Sequence, residues 1–299
     1  MGSEAVTLPP ARDTALIAVA VTAVSTSGPL ITVIAAPALA ISAWRNVMAG
    51  GVLLPVALLR NRAELRGLDR RLWGLCMLSG VLLAGHFAAW IPSVTLTSVA
   101  SSTALVATQP VWVALLALAA GRRVSRRVWV GILIAVAGAA LITGADVSLS
   151  ARAVAGDLLA VLGAILGAAY VTAGAAARAR ITTTTYTTVC YWTCALILVA
   201  ACLLFGQPLG GYSGETWVKL VALTVAAQLL GHTLINVVLR STSATVVSLA
   251  ILFEAPGAAL IAAVWLGQLP PVTAVPGILV LLTGLAVVIR AGGRAVPVD

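Results

Sequence analysis

The residues of this 299-residue sequence that could do chemistry are the few polar ones stranded inside long apolar runs. His86 and His232 are the only two histidines, Glu254 is the carboxylate set most clearly inside such a run, and Arg45 stands a turn or two inside another. Ionisable groups at such positions are costly, and they mark substrate or ion pathways by default. Histidine titrates near neutrality, so the pair suits proton sensing or relay as well as substrate binding. Gln228, His232 and Asn236 recur every four residues and form one polar stripe, which should face a cavity or another helix rather than lipid. Glu254, between Phe253 and Pro256, suits proton coupling or recognition of a cationic group. Arg45 suits a gate or a carboxylate contact.

Plainer readings stand beside each of these. A histidine between helices can simply donate to a carbonyl or hydroxyl. Glu254 can be a neutral carboxyl bonded to a neighbouring helix, and the Arg45 guanidinium can snorkel to the membrane interface. Ser98, Ser101, Ser102, Thr108 and Gln109 suit close packing and a polar pathway equally well. Trp90 and Trp112 lie deep enough to wall a substrate. Trp73, Trp129, Trp217 and Trp265 fall near run ends, as interfacial anchors do. Gly28-Pro29, after Ser25-Thr26-Ser27, interrupts the first run near its middle. The candidate substrate contacts are therefore His86, Trp90, Ser101, Thr108, Trp112, Gln228, His232, Asn236 and Glu254.

The elements that must position these residues follow from hydropathy. The chain is 61% hydrophobic and 9% charged, against roughly 45–50% and 25% in soluble domains, so lipid is its natural solvent. A crossing helix needs about 20 apolar residues. Runs of that length fall at 14–36, 38–60, 73–92, 98–120, 126–145, 156–177, 187–206, 217–239, 243–266 and 272–291. They are continuous rather than alternating, which predicts an all-α, polytopic protein of ten transmembrane helices and not a barrel. With the N-terminus in the cytosol, fifteen of the eighteen basic residues fall on the cytosolic side, including Arg60, Arg62, Arg66, Arg70 and Arg71, Arg122, Arg123, Arg126 and Arg127, and Arg178 and Arg180. Arg152 and Lys219 fall on the far side. This partition predicts both termini in the cytosol, with tails at 1–13 and 292–299.

Sliding the chain over itself by 146 residues superimposes Thr26 and Gly28 on Thr172 and Gly174, Pro110 on Pro256, and Gly121 on Gly267. Gly131 and Gly138 fall on Gly277 and Gly284, and Gly85-His86 falls on Gly231-His232. Two five-helix repeats, 14–145 and 156–291, follow, and an odd number of helices requires the second to be inverted. The loops agree. Segment 59–72 carries five arginines and its counterpart 205–218 none, while 121–127 carries four and 267–273 none. Inverted repeats are characteristic of secondary transporters, whose site lies near the midplane between the halves.

Other classes fit poorly. The net charge of +9 sits in short gaps between apolar runs, without a basic face, so nucleic acid is not an expected partner. Cys190 and Cys194 share a helix face, but no histidine or carboxylate stands near to complete a metal site. No metal, other cofactor or disulfide framework is expected. The first apolar run is too long for a cleaved signal.

The stretch Gly85-His86-Phe87-Ala88-Ala89-Trp90-Ile91, running into Thr97-Ser98-Val99-Ala100-Ser101-Ser102 and Thr108-Gln109-Pro110, resembles the EamA-type members of the drug/metabolite transporter superfamily. Gly231-His232-Thr233-Leu234-Ile235-Asn236, Glu254-Ala255-Pro256-Gly257-Ala258 and Arg45 carry the same resemblance. It implies ten helices, cytosolic termini and a central cavity lined by helices 1, 3, 4, 6, 8 and 9. It also implies export or exchange of metabolites, amino acids or amphipathic compounds across a prokaryotic inner membrane, with protons as a candidate coupling ion. Where the family often ends its fourth and ninth helices in Gly-Glu, this chain has Gly121-Arg122 and Gly267-Gln268. A lipid-acting intramembrane enzyme is the competing class, but neither H-E-x-x-H nor a nucleophile–base motif is present. A substrate-free scaffold gives no reason for polar groups placed symmetrically at depth.

Overall fold

A computed structural model of the chain describes residues 10–122, 124–144, 150–242, 244–267, 269 and 272–292. Most of the expected N-terminal tail, Arg123, Gln268 and nearly all of the C-terminal tail lie outside them. Among the described residues the protein is helical, without strands. In chain order the helices are α1 (Ala11–Ser25), α2 (Ser27–Thr32), α3 (Ala38–Arg60), α4 (Arg62–Arg66), α5 (Arg70–Leu96), α6 (Val99–Val106), α7 (Gln109–Ala119) and α8 (Arg126–Gly144). There follow α9 (Ala151–Arg178), α10 (Thr183–Leu204), α11 (Gly214–Leu223), a π-helical stretch at Thr224–His232, α12 (Thr233–Val238), α13 (Ala244–Ile251), α14 (Glu254–Leu266) and α15 (Val275–Gly292).

Seven helical stretches among the described residues are long and apolar enough to cross a membrane: Ala11–Thr32, Ala38–Arg60, Arg70–Leu96, Val99–Ala119, Ala151–Arg178, Thr183–Leu204 and Gly214–Val238. The expected runs 126–145, 243–266 and 272–291 are not among them, and 243–266 breaks at Leu252–Phe253 into two shorter helices.

Prolines write these breaks. Proline has no N–H and cannot bond the carbonyl four residues back. Pro29 leaves Ser25, and the chain steps from α1 to α2 at Thr26, whose hydroxyl donates to the Ala23 carbonyl at 2.7 Å. Pro110 leaves Val106, where α6 ends, and Pro256 leaves Leu252, just past the end of α13. Glu254 is thereby placed in the first turn of α14. The helices that follow the last two breaks lead to Gly121 (φ +76°) and Gly267 (φ +67°). Both glycines lie in the left-handed region where a side chain would be strained.

Small residues set the packing. On α9, a Cβ at Gly156, Gly163 or Gly167 would meet Thr97 N at 2.9 Å, Trp90 Cβ at 3.1 Å or His86 Nδ1 at 3.0 Å, so α5 lies directly against this glycine face. Helices α8 and α15 touch backbone to backbone. A Cβ on Gly138 would come within 2.7 Å of Gly277 O, and one on Gly284 within 2.5 Å of Gly131 O. The pairing is reciprocal, with 131 against 284 and 138 against 277, so the two helices run antiparallel.

At one end of the bundle, α4 docks on the start of α10. Thr182 N donates to Glu64 Oε1 at 2.9 Å, the Thr182 hydroxyl to Oε2 at 2.5 Å, and the Thr185 hydroxyl also reaches Oε2. Partial burial pushes the Glu64 carboxyl up. The Thr182 and Thr185 hydroxyls, the Thr182 amide and the charge of Arg240 outweigh it and hold Glu64 below the usual carboxylate range.

Candidate functional site

The helix breaks and the glycine face of α9 leave space at the middle of the bundle. A cavity of about 480 Å³ is lined by Val24 and Ser27, His86 and Trp90, Val106 and Gln109, Gly167, Tyr170 and Val171, His232 and Ile235, and Ile251 and Glu254. Every lining group comes from α1–α2, α5, α6–α7, α9, the π stretch with α12, or α13–α14.

His86 is fixed. Its Nδ1 lies 2.8 Å from the Gly163 carbonyl, and its ring stacks at 5.9 Å on Trp90. His232 sits among rings, 5.4 Å from Phe87, 6.3 Å from Tyr170 and 6.5 Å from His86. The two histidines thus meet across the site rather than pointing outward. Glu254 brings a carboxyl to the same wall, and Trp90, Tyr170 and Gln109 add aromatic and amide surface. Such a site can hold a small amphipathic molecule by stacking, by hydrogen bonds and by the polar groups of His86, His232 and Glu254.

Among the other expected contacts, Gln228 and Asn236 are fully buried outside the lining. Gln228 Oε1 accepts from Arg45 Nε at 2.9 Å, and its amide nitrogen donates to Asn46 Oδ1 at 3.2 Å. Asn236 accepts a short hydrogen bond from Arg178 and donates to the Tyr170 hydroxyl at 2.7 Å. Thr108 faces a separate space of about 220 Å³ beside Ile132 and Leu252. Ser101 is buried beside Ser102, which itself bonds Ser93 at 2.5 Å. Trp112 packs on the core from outside the lining. Arg45 does not snorkel: it is 0% exposed, with its guanidinium 4.2 Å over the Phe87 ring. The four cysteines are free and buried. Among the described residues there is no cluster of ligating side chains that could hold a metal ion.

The model of the EamA-like transporter family matches residues 14–144 and again 154–290. The chain belongs to that family. It is a multi-pass membrane protein of the transporter class, and each match contributes residues to the cavity. A crystal structure of another protein has the same fold, with a TM-score of 0.76 at 19% identity over 96% of this chain and 99% of that one. No curated protein matches.

Sequence reasoning had no signal for Arg178 in this EamA-like protein. Grouped with Arg180 as a cytosolic charge, it is instead 1% exposed, because α9 runs on to residue 178 and carries the side chain under α10. Tyr170 was also missed. The repeat relation gave no signal for it, since its mate 146 residues earlier is the apolar Val24.

Proposed function

We propose that this EamA-like protein moves small metabolites, amino acids or amphipathic compounds across a prokaryotic inner membrane by alternating access, as an exporter or exchanger. Ten crossings form two inverted repeats at 14–145 and 156–291. In this reading α13 and α14 make one crossing, α8 and α15 one each, and both termini are cytosolic. The observation that carries the reading is the cavity itself, shared by both family matches, with His86 and His232 both lining it 6.5 Å apart and edge-on to one another. The reciprocal Gly131–Gly284 and Gly138–Gly277 pairing is what a two-fold axis in the membrane plane would produce, and it supports the inversion.

In this mechanism substrate binds against Trp90, Tyr170 and the histidines, and the halves rock around it. Glu254 takes up or releases a proton as the cavity changes face, and His86 and His232 can join that step. The test begins with a thermal-shift panel in detergent, followed by transport of the strongest hit in proteoliposomes. A pH gradient should change the rate, and identical rates with and without it remove the coupling. The His86→Ala/His232→Ala double variant should fold but lose transport. Wild-type transport by that variant removes the paired-histidine site.

A further inference from the structure

The polar stripe on the eighth proposed crossing grips two buried arginines, one on each side of the cavity layer. Gln228 holds Arg45 of α3, and Asn236, two turns further on, holds Arg178 of α9. His232 lies between them and lines the cavity. The two grips are built alike. In each, the amide oxygen accepts from the guanidinium while the amide nitrogen donates onward, to Asn46 or to Tyr170. In each, the guanidinium lies over a ring, 4.2 Å from the Phe87 centroid or 4.6 Å from that of Tyr186.

Neither arginine is fully satisfied. Arg45 Nη1 and Nη2, and Arg178 Nε and Nη2, are buried without a hydrogen-bond partner among the described residues. Neither lies within ion-pair distance of a described carboxylate. A buried charge held by one neutral acceptor is a weak closure, since an unpaired charged donor in the interior is expensive and any better acceptor will win it. Each grip is also one residue removed from the cavity. Phe87 stands between Arg45 and His232, and Tyr170 links Asn236 to the lining. Substrate displacing His232 or Tyr170 would disturb both grips through direct contacts.

We propose that Arg178 is a gating residue, the counterpart of Arg45: Asn236–Arg178 closes the cavity toward one membrane face and Gln228–Arg45 toward the other, and transport requires their alternate release. This rests on the alternating-access reading above and adds to it the residues that close each side. Arg178 is thus a positioning residue that acts through Asn236, not a substrate contact.

The experiment places a reporter cysteine at the cavity-lining position Val171 and measures its labelling by a membrane-impermeant maleimide in right-side-out and inverted vesicles. The chain without the reporter serves as control for its buried cysteines. Arg178→Gln should raise labelling several-fold from one face, and Arg45→Gln from the opposite face. Asn236→Asp, which strengthens the grip with a charge, should lower labelling on the Arg178 side and slow transport while substrate binding by thermal shift persists. Arg178→Lys should restore part of the closure. Labelling that rises from the same face in both glutamine variants overturns the proposal. So does unchanged labelling in Arg178→Gln and Asn236→Asp alike. In either case continued wild-type transport leaves the alternating-access reading intact, whereas loss of facing changes in the wild type itself overturns that reading too.

Discussion

The two histidine-bearing helices carry the same Gly-His pair 146 residues apart, yet they are built differently. Helix α5 is regular from Arg70 to Leu96, and its histidine is pinned to the Gly163 carbonyl. Its counterpart turns π-helical from Thr224 to His232, and its histidine rests among rings. Wide π turns are poorly favoured by themselves and recur at functional sites. Here the wide turn coincides with Gln228, whose amide binds Arg45 and Asn46 together. Symmetry in chemistry has thus not brought symmetry in mechanics. One half supplies a fixed wall and the other a segment whose register is held by side-chain contacts.

The largest expected effect tests that holding. Gln228→Leu strands the Arg45 guanidinium, and leaving a buried charged donor unsatisfied costs about 3 kcal/mol. Tm in detergent should fall sharply. Leu82→Ala, at the equivalent register of α5, should cost less, because Leu82 is only partly buried. Equal losses would erase the mechanical difference between the helices. Next come two substitutions that should match. Gly138→Ala and Gly284→Ala each drive a Cβ to 2.3 Å from a backbone nitrogen of the facing helix. Overpacking of this kind costs about 1–3 kcal/mol, and a clear inequality in Tm would contradict the reciprocal pairing.

A smaller effect separates the histidines. His86→Ala loses the Gly163 bond, worth about 0.5–1.5 kcal/mol net, and should lower both Tm and transport. His232→Ala should impair transport with a smaller change in Tm, and the reverse pattern would overturn the assignment of fixed and movable walls. The smallest effect lies in the loops, where only the first half has the Glu64 clasp. A carboxyl held below its usual range stabilises fully above its unfolded value, about 4.3, and that stability is lost as pH falls through the lower folded value. The wild type should therefore lose more Tm than Glu64→Gln on acidification below about pH 4. Parallel curves would show that the clasp contributes nothing.

Much of this was legible in the sequence because it is written in rare residues. Two histidines at one offset announced a pair, which the structure brings to one cavity, and Gly28-Pro29 announced the interruption that the backbone shows at Thr26. Apolar content alone identified the membrane class. What could not be read was which face of a helix each polar residue takes once neighbours close around it. Gln228 and Asn236 share a stripe with His232, yet only His232 reaches the cavity, because the amides are occupied by arginines contributed from α3 and α9. Arg178 looked like a surface charge, since hydropathy cannot tell a snorkelling arginine from one drawn inward by a distant asparagine. The wide turn at Thr224–His232 left no mark, because the ungapped offset to α5 contains no inserted residue.

The most direct test of the shared cavity is transport by a protein whose cavity has been filled. Val171→Trp adds bulk at a lining position that makes none of the polar contacts described above. The expected result is a folded protein, its Tm lowered by overpacking of this buried position at a cost of about 1–3 kcal/mol, that neither binds the thermal-shift hit nor transports it. Transport at the wild-type rate through the filled variant would contradict the account.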